Sequence, residues 1–120
     1  MPHLTLEYSN KIKEKIEAVK LFMPCHQILK TVASINPQNC KSRALVSEFF
    51  CVGEGKPEQA FIHLEILLAE RKPLVIRQEI AQKILGILNN YFSYSLQELH
   101  LQISVLVKEF SRNLYYKTQS

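Results

Sequence analysis

Tryptophan is absent from this chain of 120 residues, and glycine occurs only three times, at Gly53, Gly55 and Gly86. Glycines so few and so placed build neither a phosphate-cradling loop nor a dinucleotide fingerprint, which need several at fixed short spacing. No apolar run approaches the ~20 residues that a membrane-spanning helix requires, so no membrane partner is expected. Cysteine is sparse and odd in number (Cys25, Cys40 and Cys51) with no Cys-x-x-Cys spacing. That pattern excludes a disulfide scaffold and a zinc site of ordinary spacing. With no secretory leader pattern, it points to a reducing cytoplasm. Charge is not extreme either: 15 Lys and Arg against 11 Asp and Glu give a net +4. Such a balance suits a site for an anionic small molecule as well as a weak nucleic-acid surface. Hydrophobic residues at 47% and charged residues at 22% are ordinary for a soluble globular protein. The length bounds it to a single domain, residues 1–120, large enough for a real core.

What is present is organised around the first residues, Met1-Pro2-His3-Leu4-Thr5-Leu6-Glu7-Tyr8. Leu4, Leu6 and Tyr8 alternate with His3, Thr5 and Glu7, the period of a half-buried strand. Removal of Met1 would leave Pro2 with a free secondary amine. A terminus tied into a sheet holds such an amine at a fixed point, where it can act as a base. The simpler alternative is a plain edge strand that begins with proline, which strands tolerate.

Further along, Ser9 and Asn10 end the strand and offer a capping side chain. Pro24 forbids an unbroken helix from residue 11 to residue 35, because it lacks an N–H and clashes with the preceding turn. A turn or short helix is expected first, then a main helix from about Val19 to Ser34. Leu21, Phe22, Cys25, Ile28, Leu29 and Val32 form its apolar stripe. Asn36-Pro37-Gln38-Asn39 is loop chemistry. From Cys40 to Val52 the pattern is extended, and Gly53-Glu54-Gly55-Lys56-Pro57 signals a turn. Ala60 to Leu68 reads as a third, central strand. Pro73 suits the first turn of a second helix, in which Ile76, Ile80, Ile84, Leu88 and Phe92 recur every four residues. Ser93-Tyr94-Ser95 is expected to break it. Leu99, Leu101, Ile103, Val105 and Val107 alternate through a last strand. Residues 111–120 form a polar tail, apart from Leu114, Tyr115 and Tyr116.

Strand–helix–strand thus occurs twice, with pseudo-repeats at about 1–55 and 58–110. His3-Leu4-Thr5-Leu6-Glu7 opens one and Phe61-Ile62-His63-Leu64-Glu65 the other. A duplicated β-α-β unit puts both helices on one face of the sheet. Apolar residues lie on both sides of the strands, so the bare face is expected to be covered by other subunits.

Few residues carry chemistry. His3, His26, His63 and His100 lie on different elements at no metal-ligand spacing and read as ordinary surface or half-buried side chains. The cysteines read as small core fillers, since no paired base is evident. Strand alternation turns Lys41 and Arg43 the same way, two cations aimed at one place. Arg71-Lys72 precede a helix whose N-terminus itself favours anions. For both pairs, solvated surface charge is the alternative. The strand order suits an RNA-recognition fold, but Ala-Phe-Ile-His-Leu-Glu-Ile lacks that motif's glycines and basic lead residue. No nucleic-acid partner is expected.

Taken together, the chain resembles the 5-carboxymethyl-2-hydroxymuconate isomerase family of the tautomerase superfamily. The similarity is spread along nearly the whole length. Pro2-His3 with Glu7 matches the opening, Leu21-Phe22 the first helix and Ser42-Arg43 the second strand. Ala60-Phe61-Ile62-His63-Leu64 matches the third strand, and Arg71 with Arg77-Gln78 the second helix and its approach. Ser104, Glu109 and Tyr116-Lys117 match the end. Three positions depart from the pattern: Lys41 where a further arginine is usual, Glu70 where a glycine precedes Arg71, and Leu106 where an acidic residue is usual. The resemblance implies an α+β fold of duplicated β-α-β units, with a four-stranded mixed sheet and two helices on one face. It also implies a homotrimer, an N-terminal proline base exposed by loss of Met1, and no cofactor.

The chemistry so implied is keto–enol isomerisation of a carboxylated dienol. A prolyl amine in an apolar pocket near cations loses basicity and becomes a neutral base near working pH. Pro2 is then the catalytic base. Arg43 is the first choice for a bidentate hold on a substrate carboxylate and for stabilising the dienolate oxygen. Lys41 and Arg71 are secondary substrate-binding candidates. The rivals are a non-catalytic trimeric binding protein of the same fold, and a tautomerase-fold hydratase or dehalogenase.

Overall fold

Alternation at the start of the chain becomes strand β1 (His3–Ser9), with Leu4 and Leu6 fully buried on one side. The computed structural model describes all 120 residues. After a turn, α1 (Ala18–Ala33) buries Leu21, Phe22, Cys25, Leu29 and Ala33 along its stripe. Pro24 lies inside it, beyond the first turn, and with no N–H it leaves the Lys20 carbonyl without its helical bond. Its end is well satisfied. Ser34 adopts a left-handed φ of 56°, and the amides of Ser34 and Ile35 close on the Lys30 and Leu29 carbonyls. Lys72 Nζ donates to the Ala33 carbonyl at 2.8 Å, a cation at the negative end of the helix dipole.

Strand β2 (Lys41–Ser47) returns parallel to β1, and β3 (Gln59–Ala69) lies antiparallel on its other side. Helix α2 (Leu74–Tyr91) follows Pro73 and buries Ile80, Ile84 and Leu88, the four-residue spacing expected. The last strand, β4, spans His100–Phe110 and runs parallel to β3. The sheet order is therefore β2-β1-β3-β4, with two β-α-β units joined through the antiparallel β1–β3 pair. One core lies between the sheet and the two helices. Alternate β3 residues Ala60, Ile62, Leu64, Ile66 and Leu68 form its floor.

Two boundaries differ from expectation, each for a tertiary reason. Strand β2 stops at Ser47 rather than Val52, because Ser47 pairs with Ser9 and β1 ends there. Strand β4 runs to Phe110, where the polar tail begins, and β3 supplies it a partner as far as Ala69. Residues Ser93-Tyr94-Ser95 do end α2, but they start a further short helix, here α3 (Ser93–Glu98). Its first turn is held from afar: Ser95 Oγ accepts from the Lys13 amide at 2.9 Å and donates to Glu14, whose carboxylate also takes the Ser95 amide.

The sheet face away from the helices is less apolar than alternation suggested. Register aligns Lys41, His3, Leu67 and Lys108 in one row, and Arg43, Thr5, Glu65 and Leu106 in the next. A third row holds Leu45, Glu7, His63 and Ser104. Ser47 donates to Glu7 at 2.7 Å, and Lys108 pairs with Glu65 at 3.4 Å. The polar residues are therefore paired among themselves, with Leu45 and Leu106 exposed between them.

Candidate active site

Pro2 is buried at the entrance to β1, a central strand and not an edge one. The parallel pairing with β2 fixes its neighbour: the Lys41 amide donates to the Pro2 carbonyl at 3.1 Å. Lys41 and Arg43 then project from the face that also carries His3 and Thr5. Lys41 Nζ reaches the Asn39 carbonyl at 3.3 Å. Arg43 spreads its fork over β1, with Nη1 donating to Thr5 Oγ1 at 3.4 Å and Nη2 to His3 Nδ1 at 3.0 Å.

Behind His3 the tail folds back. A single turn of 3₁₀ helix at Arg112–Leu114 redirects the chain, and the Tyr115 hydroxyl lies 3.1 Å from His3 Nε2. The Tyr115 ring also packs on Phe110, with centroids 5.0 Å apart. Two clefts meet at this tyrosine. One, of about 320 Å³, is bordered by His3, Asn39, Lys41, Tyr115 and Lys117. The other, of about 300 Å³, is bordered by Met1, Ala69, Phe110, Arg112 and Tyr115.

The electrostatics favour neutral bases and bound anions. Burial lowers the pKa of the N-terminal amine, and Arg112, Lys41 and Lys117 lower it further against an opposing effect of Cys40. His3 is also held below its usual value, by burial first and then by Arg43, Lys41 and the N-terminal amine. No group of three or more His, Cys, Asp or Glu side chains converges where it could hold a metal ion.

Of the residues singled out in the sequence, Lys41 and Arg43 share one face of β2, and the Lys41 amide ties that strand to the Pro2 carbonyl. Arg71 does not join them through any hydrogen bond or ion pair. It follows β3 with a φ of 85°, and its amide is held by Glu109 Oε2 at 3.0 Å. Glu109 in turn pairs with Arg77 at 3.8 Å. Lys72 is committed to the end of α1. The residues not anticipated are His3, Tyr115, Arg112 and Lys117. Alternation already placed His3 beside Thr5 on the Arg43 face, and an aromatic in an otherwise polar tail marked Tyr115. Nothing local marked Arg112, and Lys117 was marked only by the family resemblance; both arrive when the tail folds back.

Residues 2–120 match the family model described as 5-carboxymethyl-2-hydroxymuconate isomerase. The 5-carboxymethyl-2-hydroxymuconate Δ-isomerase of Escherichia coli is 20% identical over 117 residues, covering 98% of this chain and 93% of that protein. The crystal structure of a 5-carboxymethyl-2-hydroxymuconate isomerase from Deinococcus radiodurans R1 shares the fold with a TM-score of 0.88 at 22% identity, over 99% of this chain and 90% of that one. A fused 4-OT described as a symmetric trimer shares it with a TM-score of 0.71 at 7% identity, over 92% and 87% of the two chains. With the family matched along almost the whole length and the same sheet and helices in its relatives, the chain belongs to the 5-carboxymethyl-2-hydroxymuconate isomerase family and is an isomerase of the tautomerase type.

Proposed function

We propose that this chain isomerises a carboxylated dienol, such as 5-carboxymethyl-2-hydroxymuconate, with the Pro2 amine as base once Met1 is removed. The observation that carries the proposal is the tie of the buried Pro2 carbonyl to the Lys41 amide, next to Met1, which borders the cleft lined by Arg112 and Tyr115. While Met1 is attached, the proline nitrogen is a tertiary amide with no basic lone pair. Its removal exposes a secondary amine one residue on from the Met1 amine, which burial first, and then Arg112, Lys41 and Lys117, hold below its usual value. In this reading the proline amine, in the same surroundings, takes its neutral form, the form that accepts a proton.

The base takes a proton from the dienol hydroxyl and returns one to a carbon further along the conjugated system. Arg43 holds a substrate carboxylate through its planar fork and steadies the charge that builds on the dienolate oxygen. Lys41 contributes a second positive charge on the same face. Arg71, whose guanidinium has no partner, is the remaining candidate for a more distant carboxylate.

The working assembly in this reading is a homotrimer in the cytoplasm, with neither nucleic acid nor membrane as a partner. Its support is structural: β2 and β4 are free sheet edges, and Leu45 and Leu106 are exposed on the bare face between paired charges.

The deciding experiment compares processed with Met1-retaining protein in an ultraviolet assay on a panel of dienols that includes 2-hydroxymuconates. Both samples should fold alike, and only the processed one should turn over, since general-base catalysis is worth on the order of 10²–10⁴-fold. Equal rates would eliminate Pro2 as the base. A correctly processed protein inert on the whole panel would favour a binding protein that keeps the fold without turnover.

A further inference from the structure

The side chains Arg43, His3 and Tyr115 form one continuous hydrogen-bonded line between strand β2 and the folded-back tail. Its polarity follows from the donors available. A guanidinium only donates, so His3 Nδ1, 3.0 Å from Arg43 Nη2, must be the acceptor. The neutral ring then carries its proton on Nε2 and donates it to the Tyr115 oxygen at 3.1 Å. That leaves the Tyr115 hydroxyl proton uncommitted, and the hydroxyl makes no other hydrogen bond. Tyr115 borders both clefts, one lined by His3, Lys41 and Lys117 and the other by Met1 and Arg112. The edge-on packing of His3 on Tyr115, at 6.0 Å, and the tilted packing of Phe110 on it, at 5.0 Å, keep the phenol ring in place.

We propose that Tyr115 is a substrate-contacting residue that donates its hydroxyl proton to an anionic oxygen of the ligand, and that His3 is the positioning residue that orders both it and Arg43. The ligand's chemistry, a conjugated carboxylate, rests on the isomerase reading above; the line of hydrogen bonds does not. A hydroxyl whose oxygen already accepts from a histidine is a stronger donor, because successive hydrogen bonds polarise one another. The arrangement also ties ligand binding to proton occupancy of His3. The groups facing His3 are Arg43 and Lys41 from β2, the N-terminal amine, Leu67 from β3 and Tyr115 from the tail, with no carboxylate among the charges that shift it. A second proton on the ring would turn Nδ1 into a donor aimed at the Arg43 donors. The Arg43–His3 bond would break, leaving the fork held on β1 only through Thr5.

The test has one readout that needs no turnover. Long-range ¹⁵N NMR of the imidazoles should show His3 as the neutral Nε2–H tautomer at neutral pH. An Nδ1–H tautomer or a charged ring would overturn the proposal. The second readout is binding of cis,cis-muconate, a stable dicarboxylate probe. Tyr115→Phe should weaken it about 10- to 100-fold, the range for one hydrogen bond to a charged oxygen. His3→Asn keeps an acceptor for Arg43 but cannot reach Tyr115, so adding Tyr115→Phe to it should change affinity by less than about twofold. A full, independent loss in that background would remove His3 from the role, and unchanged binding in Tyr115→Phe alone would remove Tyr115. If processed wild type is inert on every dienol while these binding differences hold, the isomerase reading fails and the hydrogen-bonded line stands. If turnover is normal and Tyr115→Phe is silent, the reverse is true.

Discussion

Arg43 is the residue whose geometry makes the sharpest prediction, because both of its terminal nitrogens are already oriented by β1 side chains. Arg43→Ala should lose dicarboxylate binding and turnover together. Arg43→Lys should recover part of the binding but little of kcat, since an ammonium supplies charge without the planar fork. Unchanged kinetics in the lysine variant would reduce Arg43 to a surface cation. Acid sensitivity belongs to the same scale. His3 and His26 are both held below the usual imidazole value of 6.5, chiefly by burial. A histidine with a depressed folded pKa binds fewer protons than it does in the unfolded chain. Its penalty is therefore absent above pH 6.5, grows as pH falls through that value, and is complete below the folded pKa. Thermal unfolding followed from neutral pH downward should show this loss, and His26→Gln should make it shallower. A His26→Gln variant with an unchanged slope would remove His26 from the account. Cysteine reactivity follows the same logic: Cys25 is buried with its thiol pushed up to about 12, whereas Cys51 is exposed. Brief alkylation should label Cys51 and spare Cys25, as peptide mass mapping would show.

At the scale of elements, α2 is held by a spine of Ile80, Ile84 and Leu88 that continues into buried Phe92. Ile84→Ala leaves a cavity in the middle of that spine and should cost about 2–5 kcal/mol in urea unfolding. A cost under about 1 kcal/mol would show the sheet relaxing into the gap. The short helix α3 depends on a different kind of contact. Ser95 is buried and exchanges hydrogen bonds with Lys13 and Glu14, residues from the turn before α1. Glu14→Ala should therefore cost about 1–3 kcal/mol, the penalty of a buried polar group left unpaired. The loss should appear first as faster amide exchange in residues 93–98.

For the whole molecule the question is assembly. Strands β2 and β4 end the sheet with unpaired backbone edges, and Phe49 beyond β2 is 99% exposed. Apolar residues along one free edge include Val19 and Met23 of α1 with Val46 of β2. Monomeric proteins rarely leave a connected apolar patch larger than several hundred Å² in water. Light scattering coupled to size exclusion should find a homotrimer at micromolar concentration. A clean monomer of 13.9 kDa would sink that assembly.

Periodicity alone was enough to determine the elements, because burial of one face imposes a period of two on strands and near four on helices. Leu4 and Leu6, the stripe from Leu21 to Leu29, and the row from Ile80 to Phe92 all lie inside as that rule requires. It also placed Lys41 and Arg43 on one face, since side-chain direction along a strand is a local property. Tertiary structure decided whatever depends on a partner distant in sequence. Where β2 ends is set by β1, and where β4 ends is set by β3. Ser93-Tyr94-Ser95 carries turn chemistry locally, yet becomes helical with Glu14 accepting from the Ser95 amide and hydroxyl. His3 offered no ligand spacing, and its place between Arg43 and Tyr115 exists only because a tail more than a hundred residues later packs against the first strand. Contacts of that separation leave no period in a sequence, and they are what brings Arg43, His3 and Tyr115 into one line.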